Sequence, residues 1–174
     1  RDLAGVAVGI NDRTGSHYTT LQSLEGVLAR EHIVVEHLGI PENRYQALKE
    51  GRSRAVAVME PFISLGLKEG AHLVDVTFYR GAEVIAPGLS SEQRSAYLGA
   101  IDEAADRIMA DFGRYKHYVT EQTRGRLAPH EMSDHFVRYT HYVVYDEKRF
   151  EQVYEWMRSW GLASGKADHA SVVA

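Results

Sequence analysis

The chain predicts an α/β fold: a lobe built on a parallel sheet, followed by a mainly helical C-terminal part. Three observations carry this. Short apolar or β-branched runs at 6–10, 33–38, 55–58 and 73–78 alternate with segments whose apolar residues recur every three or four positions, and that alternation is the pattern of strands joined by crossover helices. The first run is short, apolar and closed by the turn-rich Asn11-Asp12-Arg13-Thr14-Gly15, as expected of a strand covered on both faces. After residue 78 the rhythm changes to longer helical stripes.

Each element has a local reason. Ser16 is placed to cap a helix whose apolar positions are Tyr18, Leu21, Leu24 and Leu28. The run 33–38 is a second strand, and Pro41 opens a short helix through Leu48 that Gly51 ends. A third strand at 55–58, a brief helix at 62–68 and a fourth strand at 73–78 follow. A short strand is expected at 83–86, and Ser90-Ser91-Glu92-Gln93 has the form of a capping box. It precedes a long helix with the stripe Tyr97, Ile101, Ala105, Ile108, Phe112, Tyr115 and Val119, in which Gly113 is a point of bending or breakage. Beyond lie a short helix at 130–136, an extended segment at 139–145 and a helix at 148–160 ended by Gly161, with Trp156 and Trp160 expected to pack on the long helix. The division is therefore a ligand-binding lobe at 1–78 and a C-terminal part at 79–174.

Composition narrows the function classes. At 174 residues with 44% hydrophobic content the chain supports one well-buried core. A net charge of -4, with basic residues scattered among acids, gives no footprint for nucleic acid. No apolar run approaches the roughly 20 residues of a membrane span, and no signal-peptide pattern is read at the start, which predicts a soluble chain. With no cysteine, a disulfide framework, a thiolate nucleophile and a Cys-based zinc site are excluded from these residues. His130, His135 and His141 are the closest histidine cluster, but their spacing is neither a helical i, i+4 pair nor His-Glu-x-x-His. No metal, cofactor or catalytic residue is expected, and no Gly-x-Ser-x-Gly elbow occurs.

The candidate site lies where the first and third strands end. Arg13, Thr14 and Gly15 of the loop, with Ser16, His17 and Tyr18 at the helix start, place hydrogen-bond donors at the C-terminal end of a strand, where open α/β sheets hold ligands. The bland alternative is that Ser16 only caps and its neighbours pack. Glu60, between the third strand and Pro61, either faces the same crevice or fixes the turn. Facing the crevice, a carboxylate favours an amine, a ring N–H or a hydroxyl over an anion. Arg13 and Arg80 are guanidinium candidates, although an isolated loop arginine is usually solvated.

Four segments in order carry a resemblance: DLAGVAVGI, GSHYTTLQSLEG, ALKEGRSRAVAVMEPF and YEWMRSWGLASG. Together they resemble the second lobe of the periplasmic solute-binding proteins of ABC importers in the nitrate, sulfonate, taurine and thiamine-pyrimidine-precursor group. The resemblance implies a type II periplasmic-binding-protein fold whose C-terminal helices complete the other lobe. It implies a small nitrogen- or sulfur-containing organic solute, an ABC permease as partner, and a periplasmic or extracytoplasmic location. Members are roughly twice this length, so it also implies that the N-terminal part of the first lobe is missing. Uncovered stripes would then lead to association with that lobe or to a homodimer. Two departures stand out: Met59 replaces the aromatic of the usual Trp-Glu-Pro or Trp-Asp-Pro turn, and Arg54 stands where an Asp is usual. The same scaffold also carries desulfinase-like and pyrimidine-precursor-synthase-like enzymes, which leaves an enzymatic alternative beside that of a shortened, dimeric binding protein.

Overall fold

A computed structural model describes residues 2–82, 84–85 and 88–172. Its centre is a three-stranded parallel sheet in the order β2-β1-β3, formed by β1 (Ala7–Ile10), β2 (Val34–His37) and β3 (Ala55–Val56). Ala7 pairs with Val34 and Ile10 with His37, while Val8 and Gly9 pair with Ala55 and Val56. The hydrogen bonding runs one residue past two of the strands, through Leu38 N–H to Ile10 O at 2.8 Å and Ala57 N–H to Gly9 O at 2.9 Å. Gly9 is required on the central strand, because a Cβ there would lie 2.6 Å from Leu38 Cδ1 and 3.0 Å from Val56 Cγ1.

The crossovers are helices, as the sequence predicts. α1 (Gly15–Glu25) buries His17, Leu21 and Leu24, and α2 (Pro41–Lys49) buries Arg44, Tyr45 and Ala47. Gly51 ends α2 with φ of 69°, the left-handed conformation that favours glycine. α3 (Phe62–Lys68) follows β3 after the turn at 57–61. Tyr45, Phe62 and Leu65 then join Phe112, Leu127 and Met132 in one buried cluster, so C-terminal residues pack on the α2–α3 layer.

The long helix is shorter than its stripe. α4 (Ser91–Ala110) starts with the predicted box, Ser90 Oγ accepting from Gln93 N and Gln93 Oε1 accepting from Ser90 N. It stops at Asp111, two residues before Gly113, because the Asp111 carboxylate accepts from Arg114 N and caps a new 3₁₀ turn at Phe112–Tyr115. α5 (Lys116–Thr120) continues from there. The helix expected at 130–136 shrinks to the turn Pro129–Glu131, since Ser133 N–H goes to Ser64 Oγ at 2.9 Å and not to a preceding carbonyl. α6 (Glu147–Ser159) is capped by Asp146, and α7 (His169–Val172) follows. Trp156 and Trp160 do not pack on α4: both indole N–H groups donate to Glu25 at the end of α1, at 2.7 and 3.1 Å.

Two β-type segments remain outside the sheet. Residues 71–80 form no strand and cross α1, where Ser23 Oγ donates to the Asp75 carboxylate and the Tyr79 ring rests on Gly15. Residues 139–145 lie along α4, with Tyr142 N–H donating to Asp102 Oδ1 and His141 2.8 Å from Asp106. The strand expected at 83–86 has Glu83 and Ala86 outside the described residues, and Val84 and Ile85 join no ladder. No helix among the described residues is long and apolar enough to cross a membrane.

Candidate functional site

The loop after β1 is built to present the start of α1. Asp12 N–H donates to His37 Nδ1 at 3.0 Å, which ties the loop to the end of β2. Arg13 adopts a left-handed φ of 54° and its N–H donates to Nδ1 of the buried His17 at 3.1 Å. His17 therefore braces the loop from below. Thr14, not Ser16, is the N-cap residue, and its carbonyl receives His17 N–H and Tyr18 N–H at 3.0 and 3.1 Å. Gly15 and Ser16 are left as the first two helical residues, whose N–H groups have no intrahelical acceptor and carry the positive end of the helix dipole.

Ser16 does something other than cap. Its Oγ accepts from Asn11 N at 3.0 Å and from Arg44 Nη1 at 2.7 Å, and lies 3.1 Å from Thr14 Oγ1. Thr14 Oγ1 already gives its proton to Asn11 O at 2.8 Å, so the Ser16 proton must go to Thr14. The hydroxyl then has two lone pairs accepting and one proton donated, and is saturated. It holds a guanidinium at the N-terminus of α1.

That guanidinium is the unusual group of the molecule. Arg44 is 3% exposed, makes no ion pair among the described residues, and has a buried Nε without an acceptor. Burial pulls its pKa down from the ordinary arginine value, with the nearby Tyr79 acting weakly in the other direction. A buried cation costs several kcal/mol in effective desolvation unless a counter-charge is supplied. The one carboxylate beside the helix start, that of Asp12, lies 3.0 Å from His17 Nδ1 and pairs with no arginine among the described residues; helix N–H groups and an unpaired guanidinium converge beside it, the chemistry of an anion holder.

Glu60 follows the C-terminal end of β3, the strand beside β1, and so shares the sheet edge with Ser16. Its carboxylate is already engaged: Oε2 accepts Ser64 N–H at 3.0 Å and Oε1 accepts Ser64 Oγ–H at 2.6 Å. Ser64 Oγ in turn receives Ser133 N–H, which joins the turn to the C-terminal part. Burial pushes the Glu60 pKa up, against the lowering effect of the Ser64 bonds and of Lys116. Thr14, Gly15, Ser16, His17 and Tyr18 cluster at the helix start, whereas the side chains of Arg13, Arg54 and Arg80 lie on exposed residues. Arg44 escapes a reading of loops because it sits mid-helix. The signal for it is its place beside Tyr45, Ala47 and Leu48, on the face where α2 carries its apolar residues.

Two open grooves lie elsewhere, one of about 500 Å³ lined by His37, Asn43 and Arg52, the other of about 590 Å³ lined by Arg107, Arg114 and His117. Their charged side chains are exposed, and neither holds a buried charge comparable to Arg44.

No family model and no curated protein matches the chain. Among solved structures it is similar to the alkanesulfonate-binding protein SsuA from Xanthomonas axonopodis pv. citri bound to MOPS, with a TM-score of 0.69 and 17% identity over 98% of this chain. The chain spans 63% of the length of that protein. The likeness shows the fold, an α/β fold like that of the periplasmic binding proteins.

Proposed function

We propose that this chain is the part of an ABC-importer solute-binding protein that grips the anionic group of a small organic solute, a sulfonate before other anions. The observation that carries the reading is Arg44, a buried guanidinium without a carboxylate, held by Ser16 against the free N–H groups of α1. The solved neighbour is an alkanesulfonate-binding protein, which supports the choice of anion. In this reading residues 1–78 form the binding lobe, 79–174 belong to the part that completes the other lobe, and the partner is a membrane permease facing a periplasmic or extracytoplasmic space. The arrangement binds without reacting, since the Ser16 proton is committed to Thr14 and not to a base. The Glu60 carboxylate accepts from Ser64 at both oxygens, which favours its turn-fixing role over a contact to a pyrimidine or amine.

Calorimetric titration of the chain with ethanesulfonate and with ethylammonium tests this. Saturable binding of the sulfonate alone is expected. Binding of the ammonium alone, or of neither, overturns the reading.

A further inference from the structure

Gly15 poses a question that its backbone does not answer. It is the first residue of α1 and has an ordinary helical φ, since it is absent from the positive-φ residues. A glycine there costs helix stability relative to alanine, about 1 kcal/mol in a helix interior. The explanation lies in residues 71–80. A Cβ on Gly15 would stand 2.7 Å from Cζ, 2.9 Å from Cε2 and 3.0 Å from Cε1 of Tyr79, so an alanine there would require the ring to move off the helix start. The three nearest atoms are the hydroxyl-bearing carbon and its two neighbours, so it is the phenol end of the ring that sits on the helix start.

Tyr79 is not there to fill a core. It is 56% exposed and belongs to a segment that forms no ladder. Its hydroxyl has no hydrogen-bond partner among the described residues, which leaves its proton available to a bound group. Tyr79 is also one of the groups in the neighbourhood of Arg44.

We infer that Tyr79 is a ligand-binding residue, its hydroxyl completing the anion cradle made by the α1 N-terminus and Arg44, and that Gly15 is glycine to admit it. The inference rests on the anion-binding reading above and adds to it a residue from outside the sheet and its crossovers. Two consequences follow from the geometry. The solute closes a contact between α1 and residues 71–80, so binding holds that segment on the lobe. The ring also walls one side of the cradle and limits the bulk of the group that the anion carries.

The test is a titration of the chain and its variants with methanesulfonate. Tyr79→Phe, which removes one oxygen from an exposed ring, weakens binding by on the order of tenfold, the loss expected of one hydrogen bond to a charged group. Gly15→Ala, which favours the helix but evicts the ring, weakens it at least as much. In a Tyr79→Ala background, Gly15→Ala changes affinity by less than about twofold, because the atoms it collides with are gone. Wild-type affinity in both Tyr79→Phe and Gly15→Ala overturns the role of Tyr79 and leaves the anion reading standing. Absence of methanesulfonate binding in the wild-type chain overturns both.

Discussion

Arg44→Met separates a structural arginine from a functional one, because the two roles predict effects of opposite sign on stability. Methionine matches the length of the side chain and is apolar, so the substitution removes a buried, unpaired charge and its orphaned Nε. Relief from an unsatisfied buried donor is worth about 1–3 kcal/mol. The loss is one charge-assisted bond to Ser16 Oγ, about 1.5–3 kcal/mol, set against the several kcal/mol of desolvation that the buried cation no longer costs, and Ser16 keeps Asn11 N–H and Thr14 as partners. The expected balance is unchanged stability or a gain of up to about 2 kcal/mol, in line with apolar replacement of buried ionic groups elsewhere. Sulfonate affinity moves the other way. Removing the guanidinium deletes a charge-assisted contact worth about 1.5–3 kcal/mol, a loss of roughly 10- to 100-fold. Urea denaturation and calorimetry on the same preparation read the two quantities. A variant that is less stable and binds sulfonate as tightly as the wild type would refute the reasoning, since Arg44 would then be serving the fold alone.

Three further outcomes follow from the packing. Because burial raises the Glu60 pKa, the native state takes up this proton more readily than the unfolded chain, so its contribution to stability is present at low pH and is lost as pH rises past the raised value. Stability should therefore rise relative to that of Glu60→Gln as pH is lowered from neutral through the carboxylate range, and parallel curves would contradict the assignment. Ser90→Ala removes half of the α4 capping box and should cost about 1 kcal/mol in urea denaturation; no change would show that the first turn is held by other contacts. Glu25→Ala leaves both indole N–H groups of the chain's two tryptophans without their acceptor, so the fluorescence emission should shift to the red as α6 loosens from α1, and an unshifted spectrum would count against that junction.

The parts of the fold legible in the sequence are those decided by neighbours in the chain. Pro41 and Gly51 bracket α2, Ser90 and Gln93 open α4, and the turn after Ile10 closes β1, each by chemistry acting over a few residues. Residues 73–78 have the same β-branched and aromatic character as β2, but a strand also needs an edge to pair with, and the path over α1 offers none. The same holds for 139–145, whose backbone and His141 go to Asp102 and Asp106 on α4. At the site, Ser16 reads from the sequence as a cap because a serine at a helix start usually is one. Its part in the structure is set by Arg44, 28 positions away; the apolar face of α2 signals that Arg44 is buried, but the contact with Ser16 is tertiary and no local pattern encodes it. Glu60 is a comparable case: its partner Ser64 is four residues on and within reach of a helix argument, while the link through Ser64 to Ser133 is not.

The most direct test of the anion cradle is a titration of isotope-labelled chain with methanesulfonate, followed by the backbone amide signals of Gly15 and Ser16 and the Nε signal of Arg44. Saturable shifts of all three at one common affinity are predicted, with the Glu60 and Ser64 signals unmoved. Shifts confined to the exposed groove of Arg107, Arg114 and His117, or the absence of saturation at Gly15 and Ser16, would contradict the claim that the start of α1 and Arg44 together hold the solute.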